Sequence, residues 1–241
     1  MSHPPSSASA HGPPASSVPV VTIDGPSGAG KGTISRMLAS RLGWNLLDSG
    51  ALYRLVGLAG RRALLGETDQ AGHAQLARSL DSRFSVRPDG SEQILLGGED
   101  VTADLRSEEG GRGASRVAAW PEVRRALLAR QHAFALPPGL VADGRDMGTV
   151  VFPAAALKIF LVATPEERAL RRYKQLKGKD SGVSLAALSR KIAERDRQDS
   201  SRAVSPLVPA ADAVVIDSTR LSIAEVVDSV WRLGQERALW S

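Results

Sequence analysis

Residues 18–23, VPVVTI, are β-branched and apolar on both faces, the pattern of a strand buried in a parallel sheet. The glycine-rich run GPSGAGKGT follows at 25–33, and Ile34, Met37, Leu38 and Leu42 then recur at helical spacing until Gly43. Further short apolar runs predict strands over Asn45–Leu47, Leu140–Asp143, Leu157–Val162 and Asp212–Ile216. Helices are expected over Gly50–Leu65, ended by Gly66, over His73–Leu80, and over Arg116–Ala135, with Pro121 marking a start or kink. Thr164 caps a helix opening at Pro165, Ser184 caps one over Leu185–Arg197, and a last helix runs from Ser222 to Leu233.

One stretch breaks the rhythm. Between Ser82 and Leu105 the dipeptides DG and GG separate short alternating runs, which predicts two or three small antiparallel strands inserted into the main domain. The following EEGGRG at 108–113 reads as a loop. Strands separated by helices argue an α/β fold, a mostly parallel sheet covered on both faces.

Composition narrows the function classes. There are no cysteines among 241 residues, which removes disulfides, thiolate metal sites and a cysteine nucleophile. The net charge of +5 suits a polyanionic small molecule, and aromatics at 4% offer no base-stacking platform, so no nucleic-acid partner is expected. Residues 1–18 are rich in Ser, Pro and Ala and read as a disordered leader without the apolar core of a secretory signal. No window approaches a membrane span, and a cytoplasmic protein with no membrane partner is expected.

The glycine run departs from the common phosphate loop G-x-x-x-x-G-K-[ST], because Gly32 stands where a magnesium-binding hydroxyl belongs. Its position between a strand and a helix favours phosphate binding all the same. Backbone N–H groups from Gly28 to Thr33 can form an anion nest at a helix N-terminus, and the whole run Gly25, Pro26, Ser27, Gly28, Ala29, Gly30, Lys31, Gly32 and Thr33 is expected to bind ATP. Lys31 adds a charge for the outer phosphates, and Thr33 supplies a hydroxyl for Mg²⁺ or a phosphate oxygen one position late. The loop marks a nucleoside-triphosphate site without separating kinase from NTPase.

A kinase needs donors for a second phosphate cluster and little nucleophile machinery. Three segments offer them. DSGALYR at 48–54 places Ser49, Tyr53 and Arg54 at the start of a helix after a strand; DGRDMG at 143–148 places Arg145 and Asp146 at a strand's carboxyl edge. In ERDRQDSSR at 194–202, Arg195, Asp199 and Arg202 share a face if the helix reaches the last of them. A nucleotide switch would use the loop and Asp143 but has no need of this second cluster. A kinase for adenylate, uridylate or a small alcohol is the nearer rival, with a differently equipped acceptor pocket.

Four segments together resemble the bacterial cytidylate kinases: GPSGAGKGT at 25–33, LDSGALYR at 47–54, ADGRDMGTVVFP at 142–153 and RDRQDSSRAVSPLVPAAD at 195–212. The likeness spans about residues 19–233. The GKGT loop is shared across nucleoside monophosphate kinases; the DGRDMGTVVFP run and the small-strand insert are particular to the cytidylate branch. The resemblance implies a three-layer P-loop NTPase fold with a five-stranded parallel sheet, a small antiparallel insert and a mobile lid. It divides the chain into a core over 19–65 and 134–241, an acceptor-binding region at about 66–133 and a lid at about 168–182.

By the same resemblance a monomer transfers the γ-phosphoryl of ATP, with Mg²⁺, to CMP or dCMP. Ser49, Arg54, Arg145 and Arg202 would hold the acceptor phosphate beside Tyr53; Ser115, Arg124 and Asp146 would read cytosine; Arg195 and Asp199 would face the sugar. Lys31, Arg145, Arg171 and Arg202 would stabilise the transferring group. The three glycines at 110, 111 and 113 depart from the family, which is more regularly helical ahead of the serine.

Overall fold

The structure is a computed structural model that describes residues 18–88, 91–176, 184–202 and 204–241. The expected leader up to residue 17, the DG turn at 89–90 and the glycine-bearing end of the expected lid lie outside the described residues.

In chain order the elements are β1 (Val20–Asp24), α1 (Lys31–Leu42), β2 (Asn45–Asp48), α2 (Ser49–Arg62), α3 (Gln70–Arg78), β3 (Ser82–Val86), β4 (Glu92–Leu96) and β5 (Glu99–Asp100). There follow α4 (Thr102–Arg106), α5 (Glu108–Val117), α6 (Pro121–His132), β6 (Leu140–Gly144), a π-type turn (Met147–Val151), β7 (Leu157–Val162), α7 (Pro165–Leu176), α8 (Leu185–Ser200), β8 (Val214–Asp217) and α9 (Ile223–Glu236).

Five strands form a parallel sheet in the order β2-β6-β1-β7-β8, and β3-β4-β5 form a separate antiparallel sheet. β1 sits at the centre and is buried throughout. Successive strand residues point to opposite faces. Val20, Leu140 and Ala142 therefore join one apolar cluster with α2, α3, α5 and α6, while Val21, Ile23 and Val141 join another with α1 and α9. Ile23 and Leu38 are both fully buried, each worth about 1.5–3 kcal/mol over exposure. This is the expected three-layer α/β arrangement with its antiparallel insert.

Several expectations change. Residues 108–113 are helical, the first part of α5, and not a loop. Ser107 caps the helix by accepting from the Gly110 N–H at 3.0 Å. Helical glycines cost about 1 kcal/mol each against alanine, so close packing must offset them. It does: a Cβ on Gly110 would stand 2.7 Å from the Asp104 carbonyl oxygen, and one on Gly57 of α2 would stand 3.1 Å from the Gly113 carbonyl carbon. α2 and α5 cross backbone to backbone.

Other boundaries move by a few residues. α2 begins at Ser49, where the Asp48 side chain accepts from Ala51 N at 2.9 Å, and ends at Arg62, short of the expected Gly66. Pro121 starts α6 without a kink. α8 runs to Ser200, so Arg202 lies beyond the helix rather than on its last turn. No helix among the described residues is long and apolar enough to cross a membrane.

Candidate active site

The glycine run turns from β1 into α1 in a conformation that few side chains would permit. Gly25 has φ 144°, and a Cβ there would sit 2.0 Å from the Leu161 carbonyl oxygen of β7. Gly30, at φ 100°, caps α1, and its carbonyl accepts from Thr33 and Ile34. The buried Lys31 Nζ donates to the Pro26 carbonyl at 3.0 Å, bridging the loop. Burial, then repulsion from Arg145, lowers Lys31 to about 7, against the pull of Asp143 and Asp24. A multiply charged anion would reverse that balance.

The glycine after the lysine has a steric reason. A Cβ on Gly32 would lie 3.2 Å from Asp143 Oδ2, at the end of β6. A serine would press on that carboxylate; glycine lets Asp143 stand beside the loop. Burial lifts Asp143 to about 6, with Lys31 pulling it down. Among the described residues no group of three or more His, Cys, Asp or Glu could hold a metal ion. One carboxylate and the half-buried Thr33 beside a phosphate loop fit Mg²⁺ that arrives on nucleotide phosphates, since this ion commonly takes one or two protein groups and keeps its waters.

Beyond β6 the chain carries Arg145 and Asp146 into the cleft. The turn behind them is pinned by Asp24, the last residue of β1, which accepts from Met147 N at 2.9 Å and Gly148 N at 2.8 Å. Asp146 is buried and paired with Arg124 of α6, whose guanidinium also donates to the Ala118 carbonyl and lies 5.7 Å from the Tyr53 ring centre. Ser115, on α5, lines the same cleft.

Three of the remaining arginines crowd around one carboxylate. Asp199, 1% exposed, accepts from Arg145 Nε at 3.0 Å and from Arg202 Nη2. Arg195 is lowered to about 10 by burial and then by Arg145, with Arg54 and Arg202 adding repulsion, and its Nε has no partner. Gly111 keeps this space open, because a Cβ there would lie 3.6 Å from Arg54 and 3.7 Å from Arg195. Ser49 is buried at the head of α2, and its Oγ would meet a Cβ on Gly144 at 2.8 Å. Arg145, Arg195, Arg54 and Arg202 thus face a shared volume, four guanidinium groups against the carboxylates of Asp199 and, beside Arg54, Asp48.

One cleft of about 1960 Å³ contains both the glycine loop and this cluster. Arg171 stands on the loop side, donating to the Ala29 carbonyl, to Glu167 and to the Ser218 carbonyl and hydroxyl. Arg172 reaches across to Glu108 of α5. Arg168 is 3% exposed and engaged with backbone and Asp196, so it is not a solvent-facing lid cation. Sequence reasoning missed Asp24, the internal pairing of Arg168, which it placed in the lid run, and the cleft lining by Ser218, Leu221, Ser222 and Ile223. A charge ending an apolar strand was a usable signal for Asp24; nothing local distinguished the other two.

The family model for cytidylate kinase matches residues 21–236. A cytidylate kinase from Pseudomonas fluorescens (strain SBW25) is 60% identical over 213 residues, covering 88% of this chain and 93% of its own. One from Marinomonas sp. (strain MWYL1) is 56% identical over 213 residues, covering 88% and 94%. Among solved structures, a shikimate kinase from Acinetobacter baumannii in complex with shikimate covers 92% of this chain and 96% of its own at 16% identity and a TM-score of 0.43, too distant to speak to substrate. With a family match over nearly its whole described length and relatives at this identity, the chain belongs to the cytidylate kinase family.

Proposed function

We propose that the chain transfers the γ-phosphoryl group of ATP to CMP or dCMP, giving ADP and CDP or dCDP. The observation that carries this reading is the arginine cluster: Arg145, Arg195 and Arg202 gather around Asp199, and Arg54, with Asp48 as its acidic neighbour, faces the same volume, across one cleft from a phosphate loop. Such a cluster is under-neutralised until a second phosphate arrives.

An oxygen of the acceptor phosphate attacks the γ-phosphorus, the bond to the β-bridging oxygen breaks, and its electrons leave on ADP. The attacking oxygen is already ionised near neutral pH, so no general base is required. Lys31 and the N–H groups from Gly28 to Thr33 hold the donor phosphates. Ser49, Arg54, Arg145 and Arg202 hold the acceptor phosphate, and Arg195 belongs with them rather than with the sugar alone. Mg²⁺ would be held by the ATP phosphates together with Thr33 and Asp143, and would supply further charge neutralisation. Arg171 braces the loop on the donor side, where its guanidinium contacts the Ala29 carbonyl.

Arg124, Asp146 and Ser115 read the base. Cytosine offers an amino donor and two acceptors to an arginine and a carboxylate, whereas uracil sets an oxygen against Asp146. We assign residues 19–65 and 134–241 to the core, 66–133 to the acceptor region, and about 168–182 to a lid. One chain supplies both sides of the cleft, so a monomer suffices, and a reaction among free nucleotides belongs in the cytoplasm. A coupled assay of nucleoside diphosphate formation with CMP, dCMP, UMP and AMP tests the proposal: the two cytidylates should lead, and equal turnover of all four, or none, refutes it.

A further inference from the structure

The buried guanidinium of Arg168 joins three parts of the fold. Its Nε donates to the Ala163 carbonyl at the end of β7 at 3.0 Å, and its Nη1 donates to the Ser27 carbonyl of the glycine loop at 3.1 Å. The same Nη1 and the Nη2 grip both oxygens of Asp196 on α8, at 3.0 and 2.5 Å. The backbone presses on the loop as well, since a Cβ on Gly28 would lie 3.2 Å from the Arg168 Cβ. Asp196 adjoins Arg195 and lies one turn before Asp199, so the far end of the bridge is the helix that carries the acceptor-side charges.

We propose that Arg168 is a positioning residue that couples the two substrate sites: phosphate binding to the loop shifts the Ser27 peptide, and the rigid fork passes that shift to α8. The proposal rests on the donor and acceptor assignments above. The chemistry calls for arginine. A planar guanidinium can hold two carbonyls and a bidentate carboxylate at fixed angles; an ammonium cannot. Because Arg168 is buried and each of its three nitrogens is engaged within the protein, it has no direct role on the transferring phosphoryl group. Energetic coupling of this kind is reciprocal and measurable as a change in one ligand's affinity caused by the other.

The test is CMP affinity by calorimetry, with and without a saturating non-hydrolysable ATP analogue and Mg²⁺. The wild-type chain should bind CMP roughly fivefold or more tightly with the analogue present, the lower end of typical coupling. In Arg168→Lys and Asp196→Asn the ratio should fall toward one, while each ligand's own affinity changes much less. A purely structural role would lower the melting temperature or both affinities and leave the ratio intact, which overturns the proposal. A wild-type ratio of one overturns it too. If Arg168→Lys does not fold, Asp196→Asn carries the same readout through the other partner. Failure of CMP to bind the wild-type chain at all would refute the functional assignment instead.

Discussion

Arg124 and Asp146 meet as an ion pair inside the cleft, with side chains only 9% and 4% exposed. Burying such a pair brings little net stability, because desolvation offsets the attraction. Its value is orientation: the Arg124 guanidinium is anchored on the Ala118 carbonyl, so Asp146 is held at a fixed place on the cleft floor. Backbone donors to Asp24 fix the same segment from behind.

Selection between cytosine and uracil should therefore depend on Asp146. Two acceptors facing each other cost about 1–3 kcal/mol, part of which is relieved once the carboxylate is gone. Asp146→Ala should reduce the CMP over UMP preference in kcat/KM by about tenfold or more, since ~1.4 kcal/mol is a factor of ten. Asp146→Asn, which keeps the volume and can present an amide donor to uracil, should do the same with less loss of stability. Unchanged relative efficiencies in both variants would remove Asp146 from base reading.

The α2–α5 crossing gives an asymmetric stability prediction. A Cβ on Gly57 would meet Gly113 backbone at 3.1 and 3.2 Å, whereas one on Gly113 would find Gly57 no nearer than 3.7 Å. Gly57→Ala should be destabilising by about 1–3 kcal/mol through overpacking. Gly113→Ala should be neutral or stabilising by up to about 1 kcal/mol through helix propensity. Urea denaturation of the two variants decides it; equal losses would mean that the crossing is not set by backbone contact.

That crossing also shows where reading the sequence stopped. Glycine-rich text at 108–113 looked like a loop because propensity weighs each residue alone, and the compensating partner, Gly57, lies on another helix. The same limit made Arg168 read as part of a lid, because its partners at Ser27, Ala163 and Asp196 are spread along the chain. The parallel sheet, by contrast, was legible from short β-branched runs such as Val20–Asp24, since a strand buried on both faces writes its pattern locally. Asp146 stood out as a charge in a loop after a strand, Asp199 and Arg202 as charges spaced along one helix face, and the fold brings them into one cleft. Their mutual pairing followed only from the distances.

Asp24 should leave a mark on the pH dependence of stability. Burial raises it to about 7; the N–H groups of Gly148 and Met147 act against this, Asp146 adds to it and Lys31 opposes it. Its folded value thus lies above the ordinary 3.8, so the folded state binds the extra proton between the two values. The contribution is full below 3.8 and is lost as pH rises through about 7. Asparagine does not titrate. The stability of wild type relative to Asp24→Asn should therefore fall as pH rises from 5 to 8, with a slope of at most about 1.4 kcal/mol per pH unit. Parallel stability curves for the two proteins would show that Asp24 titrates as it does in the unfolded chain.

Metal removal should separate the two halves of the cleft. The described residues hold no cluster of three or more metal-ligating side chains, and the carboxylate against Gly32 of the glycine loop is that of Asp143. A site of that kind binds Mg²⁺ weakly on its own and gains it with the phosphates of ATP. EDTA should abolish diphosphate formation while leaving CMP affinity unchanged, because Arg54, Arg145, Arg195 and Arg202 supply the acceptor charge without metal. Mg²⁺ alone should not shift the melting temperature, whereas Mg²⁺ with an ATP analogue should raise it, as any ligand selective for the folded state does. Calorimetry for CMP and thermal scans in the presence of each component provide the readout. A fall in CMP affinity on chelation would place the metal on the acceptor side of the cleft and require a different division of roles between Asp143 and the arginines.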